Sequence, residues 1–245
     1  MAISLASIAR HVNSRAPLVV IHGSPGARKT TFASQAPNPV FIRTEDGLGS
    51  LQVDTFPMCE SFDDVMAALA ALYEDHEYKT VVIDSLSALE PLIWDKVARD
   101  HQVTNLESIG FGKGYVFALN YWRELIQAIK GLSERRIMPV LIAHSEVARF
   151  DAPDVEPYDR YQIKLHKRAF HLLYEQADII GHAFKPVFVR KEEGQKTGKA
   201  KAKGDHQLRL VETPSAIAKN RYQMPETIAL DWAEFAEYLP PYNQE

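Results

Sequence analysis

Short apolar runs ending in a polar or charged residue punctuate the chain, and the stretches between them carry apolar residues at helical spacing. The first run, Leu18-Val-Val-Ile21, is rich in β-branched residues and shows no alternation, which predicts a parallel strand covered on both faces. Gly23, Pro25 and Gly26 break it, and a helix is predicted over 30–35, stopped by Ala36-Pro-Asn-Pro39. Val40-Phe-Ile-Arg43 predicts a second strand, running into Thr44-Glu45-Asp46-Gly47. A helix over 62–75, with Val65, Leu69 and Leu72 on one face, leads to a third strand, Thr80-Val-Val-Ile-Asp84. From 92 to 131 the pattern is mostly helical, and its glycine-rich interruption, Ile109-Gly-Phe-Gly-Lys-Gly114, predicts a mobile loop before a strongly periodic helix over 115–132. Met138-Pro-Val-Leu-Ile-Ala143 predicts a fourth strand leading into His144-Ser145-Glu146. A long polar and aromatic loop (149–161), a helix (163–176) and a fifth strand (177–182) follow.

Beyond 183 the chain changes character. Residues 187–190 and 207–211 predict the strands of a hairpin, and 191–205, rich in Lys, Gly and Gln with hardly an apolar side chain, predict a flexible basic loop between them. A short amphipathic helix is predicted over 230–239. Strands separated by helical stretches imply an α/β fold, a mainly parallel sheet with helices on both faces and a C-terminal β-hairpin extension. A chain of 245 residues with 46% hydrophobic content suits one domain, with a core over 16–183 and the hairpin and helix over 184–245.

Composition narrows the functional classes. The formal net charge of −4 leaves no global polycation, so a nucleic-acid site must be a local patch. A single cysteine, Cys59, excludes an internal disulfide and a multi-cysteine metal site, and the nine histidines show no ligand spacing. No run is long and apolar enough to span a membrane, and the N-terminal Met-Ala-Ile-Ser-Leu-Ala-Ser-Ile-Ala-Arg-His reads as a short amphipathic helix rather than a signal peptide, so a cytoplasmic location is expected.

The chemistry gathers where the first strand ends. A phosphate loop asks for Gly, four residues, then Gly-Lys-[Ser/Thr]; here Gly23 is followed by Ser24, Pro25, Gly26 and Ala27, then Arg28-Lys29-Thr30-Thr31. The strand before, the helix after and the Pro25-Gly26 turn make Gly23 to Thr31 a nucleotide phosphate site, with the first-turn amides as donors. Arginine in place of the second glycine adds a Cβ that costs conformational energy and a charge that can reach phosphate or a neighbouring subunit. In an open parallel sheet the ligand lies beyond the carboxyl ends of the strands, where Lys29, Glu45, Asp84 and His144 converge. Lys29 would neutralise the β- and γ-phosphates, and Thr30 and Asp84 would hold Mg2+. Glu45 would act as the base on the attacking water, and His144 would sense the γ-phosphate. The plain alternatives are a helix cap for Asp84, a turn carboxylate for Glu45 and a structural histidine for His144.

In this order the motifs resemble the RecA-like recombination ATPases, and among them the small phage-type core-only proteins of single-strand annealing. The resemblance rests on Gly23-Ser-Pro-Gly-Ala-Arg-Lys-Thr-Thr-Phe, Phe41-Ile-Arg-Thr-Glu-Asp-Gly-Leu, Val81-Val-Ile-Asp-Ser-Leu-Ser-Ala-Leu, Gly110-Phe-Gly-Lys-Gly-Tyr, Leu141-Ile-Ala-His-Ser and Ala218-Lys-Asn-Arg-Tyr. It implies a RecA-type core, ATP hydrolysis with Glu45 as base, oligomers (rings or filaments) with nucleotide between subunits, and single-stranded DNA as partner, with a single-strand binding protein as a further one. It also implies a basic residue acting on the γ-phosphate of a neighbouring subunit, for which Lys164, Lys167 and Arg168 are candidates, although a solvated basic helix face is the plainer reading of any one of them.

Cations that track phosphates, interleaved with aromatics that stack on bases, make a sequence-tolerant single-strand site. Lys113 and Tyr115, then Arg149, Phe150, Tyr158, Arg160 and Tyr161, and Lys199, Lys201 and Lys203 of the insert have that chemistry, although the insert also reads as a plain linker. Arg221 and Tyr222 are placed in a tail that could fold over the nucleotide. The expected function is therefore an ATP-hydrolysing protein that assembles on single-stranded DNA and promotes annealing or recombination. The alternatives are a nucleotide-gated DNA- or protein-binding module with little turnover, and a kinase using the same loop.

Overall fold

A computed structural model describes residues 4, 5, 8, 14–190, 199–202 and 204–241, without the side chains of 188–190 and 199–201. The predicted N-terminal helix and much of the insert, Lys203 included, fall outside the described residues.

The chain runs β1 (Val19–Gly23), α1 (Lys29–Ser34), β2 (Pro39–Arg43), β3 (Asp54–Thr55), α2 (Phe62–Ala71), β4 (Thr80–Asp84) and α3 (Leu86–Asp100). A 3-10 turn (Leu106–Ile109) precedes α4 (Lys113–Glu134), β5 (Met138–Phe150), β6 (Tyr158–Ile163), α5 (Lys167–Gln176) and β7 (Ile179–Phe184). The remainder is β8 (Val187–Arg190), β9 (Lys199–Ala202), β10 (Gln207–Arg209), β11 (Lys219–Asn220), β12 (Thr227–Ala229) and α6 (Trp232–Ala236). One sheet has the order β12-β10-β7-β1-β5-β4-β2-β3, with β11 also on β7 and β6 on β5. Strands β7, β1, β5, β4, β2 and β3 are parallel, and β6, β10, β11 and β12 join antiparallel. The α/β class and the mainly parallel sheet with helices on both faces are as expected.

The unalternating runs are explained by two cores, one on each face. Val20, Ile42, Ile83 and Leu141 point to the side covered by α2, α3, α4 and α5. Val19, Ile21, Phe41, Val82, Val140 and Ile142 point to the side covered by α1 and α6. Phe32 of α1 meets Trp232 and Phe235 of α6 with ring centroids 5.1 and 5.5 Å apart, which ties the C-terminal helix to the one after β1. Side-chain caps start α2 and α3: Ser61 Oγ accepts from the Asp64 amide, and Ser85 Oγ from that of Ala88.

Three expectations are corrected. Residues 149–161 are not a loop throughout, because β5 runs on to Phe150 and pairs with β6 from Ser145↔Ile163 to Phe150↔Tyr158, forming a hairpin that leaves the sheet edge. The helix expected over 163–176 accordingly starts at Lys167. The C-terminal hairpin pairs β8 with β9, not with 207–211; β10 instead lies between β7 and β12 in the main sheet.

Candidate functional site

The parallel register brings the ends of adjacent strands level. Arg43 stands opposite Asp84, Asp84 opposite Ile142, and Gly23 opposite both His144 and Ala183. The polar residues that end β2, β4, β1 and the apolar part of β5 therefore share one edge, as the end-of-strand pattern implies.

Gly23 is required for a steric reason: a Cβ there would lie 2.4 Å from the carbonyl oxygen of Ala183. Ser24, Pro25 and Gly26 are exposed and Ala27 is buried. Arg28 then takes a left-handed conformation, φ 61° and ψ 27°, and α1 begins with no side-chain cap. That conformation is the one a glycine adopts freely, which is why the standard pattern has glycine here, and arginine adopts it at a cost in strain. Lys29 is 6% exposed, and its Nζ donates to the carbonyls of Gly23 and Ser24 at 3.0 and 3.1 Å. Burial lowers its pKa, opposed by the negative charges of Asp84 and Glu45. Thr30 Oγ1 donates to Asp84 Oδ2 at 2.8 Å, and Thr31 is half-buried in the same turn.

Asp84 is 5% exposed, and burial raises its pKa. A buried carboxylate beside a threonine hydroxyl is a pair of hard oxygen donors, so these residues fit a Mg2+ ion, while the uncapped helix start and Lys29 fit the phosphates it accompanies. His144 Nε2 lies 3.1 and 3.2 Å from the two oxygens of Glu45. The His144 amide donates to Ser87 Oγ, which in turn donates to the Lys164 carbonyl at 3.1 Å. Lys29, Thr30, Asp84, Glu45 and His144 are thus one cluster.

Other expected residues stand apart. Arg221 pairs with Asp178 at 2.8 Å, alongside Arg15, and Asp178 also accepts from the Leu18 amide at 2.9 Å. That knot lies where β1 and β7 begin, at the end of the sheet opposite the phosphate loop, so Arg221 lies away from that loop. Lys167 and Arg168 are exposed at the start of α5, whose approach is held by Glu90 accepting from the His166 amide at 3.0 Å.

Among the residues expected to touch DNA, Lys113 is exposed, whereas Tyr115 is stacked on His166 with centroids 4.3 Å apart. Arg149 is exposed beside Asp151. Arg160 lies 3.8 Å from the Phe150 ring centre and is paired with Glu212 at 2.8 Å, so its charge is already committed. Lys199 and Lys201 belong to β9.

Sequence reasoning did not single out three further residues. His22, wholly buried before Gly23, bonds Ser145 Oγ and the Ile217 carbonyl, both at 2.9 Å, and burial lowers its pKa to about 4. His182 faces it with centroids 4.9 Å apart. Phe111 is 100% exposed at φ 51°, between Gly110 at 69° and Gly112 at 66°. For Phe111 the signal was present, an aromatic between two glycines; the histidines lie inside apolar runs and gave none.

Among the described residues no group of three His, Cys, Asp or Glu side chains could hold a metal, and no helix is long and apolar enough to cross a membrane. One solved structure, of an ATPase domain, is similar over 88% of this chain and 81% of that chain, with 12% identity and a TM-score of 0.48. No curated protein matches the sequence. The family model of the AAA domain AAA_24 matches residues 15–222, most of the chain, and the protein belongs to that family of AAA domains.

Proposed function

We propose that the protein is an ATPase that binds Mg2+-ATP at the Gly23 to Thr31 loop, hydrolyses it with Glu45 as general base, and couples turnover to single-stranded DNA. The observation that carries this is the convergence of Lys29, the Thr30–Asp84 pair and the Glu45–His144 pair on one sheet edge. Lys29, once turned from the loop carbonyls, places its charge on the β- and γ-phosphates. Mg2+, held by Thr30 and Asp84, would neutralise charge on the phosphate oxygens. Glu45 takes a proton from water as the water oxygen bonds to the γ-phosphorus and the bond to the β-phosphate oxygen breaks. His144 holds the carboxylate in place and connects it to the β5–β6 hairpin.

DNA is proposed to run along Phe111 and Lys113 and along Arg149 and Phe150 of the hairpin, where aromatic and cationic groups alternate, Phe150 half-buried and the other three exposed. Lys167 and Arg168, exposed and without an ion pair among the described residues, are proposed to act across a subunit interface in a ring or filament. The strained Arg28 favours a second reading, in which ATP gates assembly with little turnover. Steady-state phosphate release, measured across a titration of oligo(dT) with wild type and Lys29→Ala, separates the two. Release that rises with DNA and vanishes in the variant supports the ATPase; release absent under all conditions, with ATP still bound, supports the gate.

A further inference from the structure

Beside the phosphate loop, on the side away from Glu45, lies a cavity of about 450 Å3. Ser24 to Ala27 form one wall, and the opposite wall is a stack of rings. Tyr161 lies over His182 with centroids 5.2 Å apart and planes 22° apart; His182 lies beside Phe184 at 5.5 Å and 3°. The guanidinium of Arg209 sits 4.6 Å from the Phe184 ring centre.

Two polar atoms of this wall lack partners. His182 is 3% exposed and its Nδ1 makes no hydrogen bond; Arg209 Nε is buried and equally unpaired. Burial, with the charges of His22 and Arg209, holds the His182 pKa down to about 3, so the imidazole is neutral and its tautomer is free to match a donor or an acceptor. Buried nitrogens left unpaired beside an open cavity call for a partner with heteroatoms at its edge, and stacked rings with a guanidinium call for one with flat faces. A purely anionic ligand would leave the rings unused, and an apolar one would leave both nitrogens unpaired.

The sheet order fixes which part of a ligand arrives there. Glu45 follows β2 and Asp84 ends β4, on one side of β1, whereas the cavity belongs to β7 and β10 on the other. From β4 to β7 is three strand spacings, roughly 14 Å at about 4.8 Å each. A triphosphate lying along the loop with its terminal phosphate toward Glu45 therefore carries its nucleoside toward His182.

We propose that this cavity seats the purine base of the bound nucleoside triphosphate, stacked against Phe184 and Arg209 and hydrogen-bonded to His182 Nδ1. The inference rests on the phosphate-loop reading above. The volume admits a bicyclic ring, and the two residues that carry the unpaired nitrogens both line it.

Calorimetric titration with ATP, GTP, CTP, UTP and inorganic tripolyphosphate, all with Mg2+, tests it. Wild type is expected to bind the purine nucleotides about tenfold or more tighter than tripolyphosphate and tighter than the pyrimidine nucleotides. Phe184→Leu should remove most of that advantage and leave tripolyphosphate affinity unchanged. Ser215→Trp, at an exposed rim position, places an indole in the cavity and removes the hydroxyl that accepts from Arg209 Nη1 at 2.8 Å, and should do the same even if the Phe184 variant misfolds. ATP and tripolyphosphate binding equally well to wild type would overturn the base site and leave the phosphate site standing. Binding of neither would overturn both. Loss of oligo(dT) binding with ATP affinity intact in Ser215→Trp would assign the cavity to a DNA base and overturn the proposal.

Discussion

His144 Nε2 sits 3.1 Å from Glu45 Oε1 and 3.2 Å from Oε2, so one imidazole spans both oxygens of the carboxylate. The residue that holds Glu45 is thereby also the residue at which β5 leaves the sheet core for the hairpin. Removing the imidazole frees the carboxylate without removing it. His144→Ala is expected to lower kcat about 10- to 100-fold while ATP affinity stays within about threefold of wild type. Steady-state kinetics with parallel calorimetry checks this, and an unchanged kcat would contradict the positioning role.

Arg28 at φ 61° bears strain that glycine would not. Arg28→Gly relieves roughly 1 kcal/mol of it, partly offset by the greater freedom of glycine in the unfolded chain, for a net rise in Tm of about 1–3 °C. Arg28→Ala removes the same charge but keeps a Cβ in the left-handed region, and should bring no such rise. Thermal melts of the two variants separate strain from charge; equal shifts would contradict the strain.

Glu90 gives a pH signature. It is 6% exposed, accepts from the His166 amide with both oxygens, and burial raises its pKa to about 7. The folded state thus holds a proton that the unfolded state releases above about 4.5, so this contribution is full below 4.5 and is lost as pH rises to 7. Glu90→Gln cannot titrate, and its stability should gain on that of wild type between pH 5 and pH 8, by an amount on the order of 1–3 kcal/mol, read from parallel melts. His22 and His182 act oppositely, losing stability as pH falls from 6.5 toward about 4 and 3, and they cancel in the difference between variant and wild type. A difference in Tm that does not vary with pH would contradict the assignment.

Phe111 is fully exposed, so its loss should leave Tm unchanged. Stacking on a base is worth about 1–3 kcal/mol, and Phe111→Ala is expected to raise the dissociation constant for oligo(dT) roughly 5- to 100-fold. Fluorescence anisotropy with a labelled oligonucleotide reads this directly. Unaltered affinity would remove the glycine loop from the DNA path.

The apolar runs of β1, β2, β4, β5 and β7 were legible because strands buried on both faces have no alternation to confuse them with amphipathic elements. Their ends were legible for the same reason, and they placed Lys29, Glu45, Asp84 and His144 on one edge. The β5–β6 hairpin was not: Glu146 to Tyr161 is polar and half-exposed, and it reads as loop until its pairing is seen. Arg221 was misassigned because position in the sequence does not say at which end of β7 the antiparallel β11 lands; it pairs with Ile179 and Ile180, at the far edge. The cavity beside Ser24 was hidden because His182, Phe184 and Arg209 belong to different strands and meet only through the register of β7 and β10.

Glu45→Gln, assayed for ATP binding and phosphate release in one preparation, tests the assembled site most directly. The substitution keeps the shape and removes the base. ATP affinity within about threefold of wild type, with phosphate release lowered about 100-fold or more, is the predicted result. Release at the wild-type rate would show that Glu45 does not take the proton, and would contradict the account.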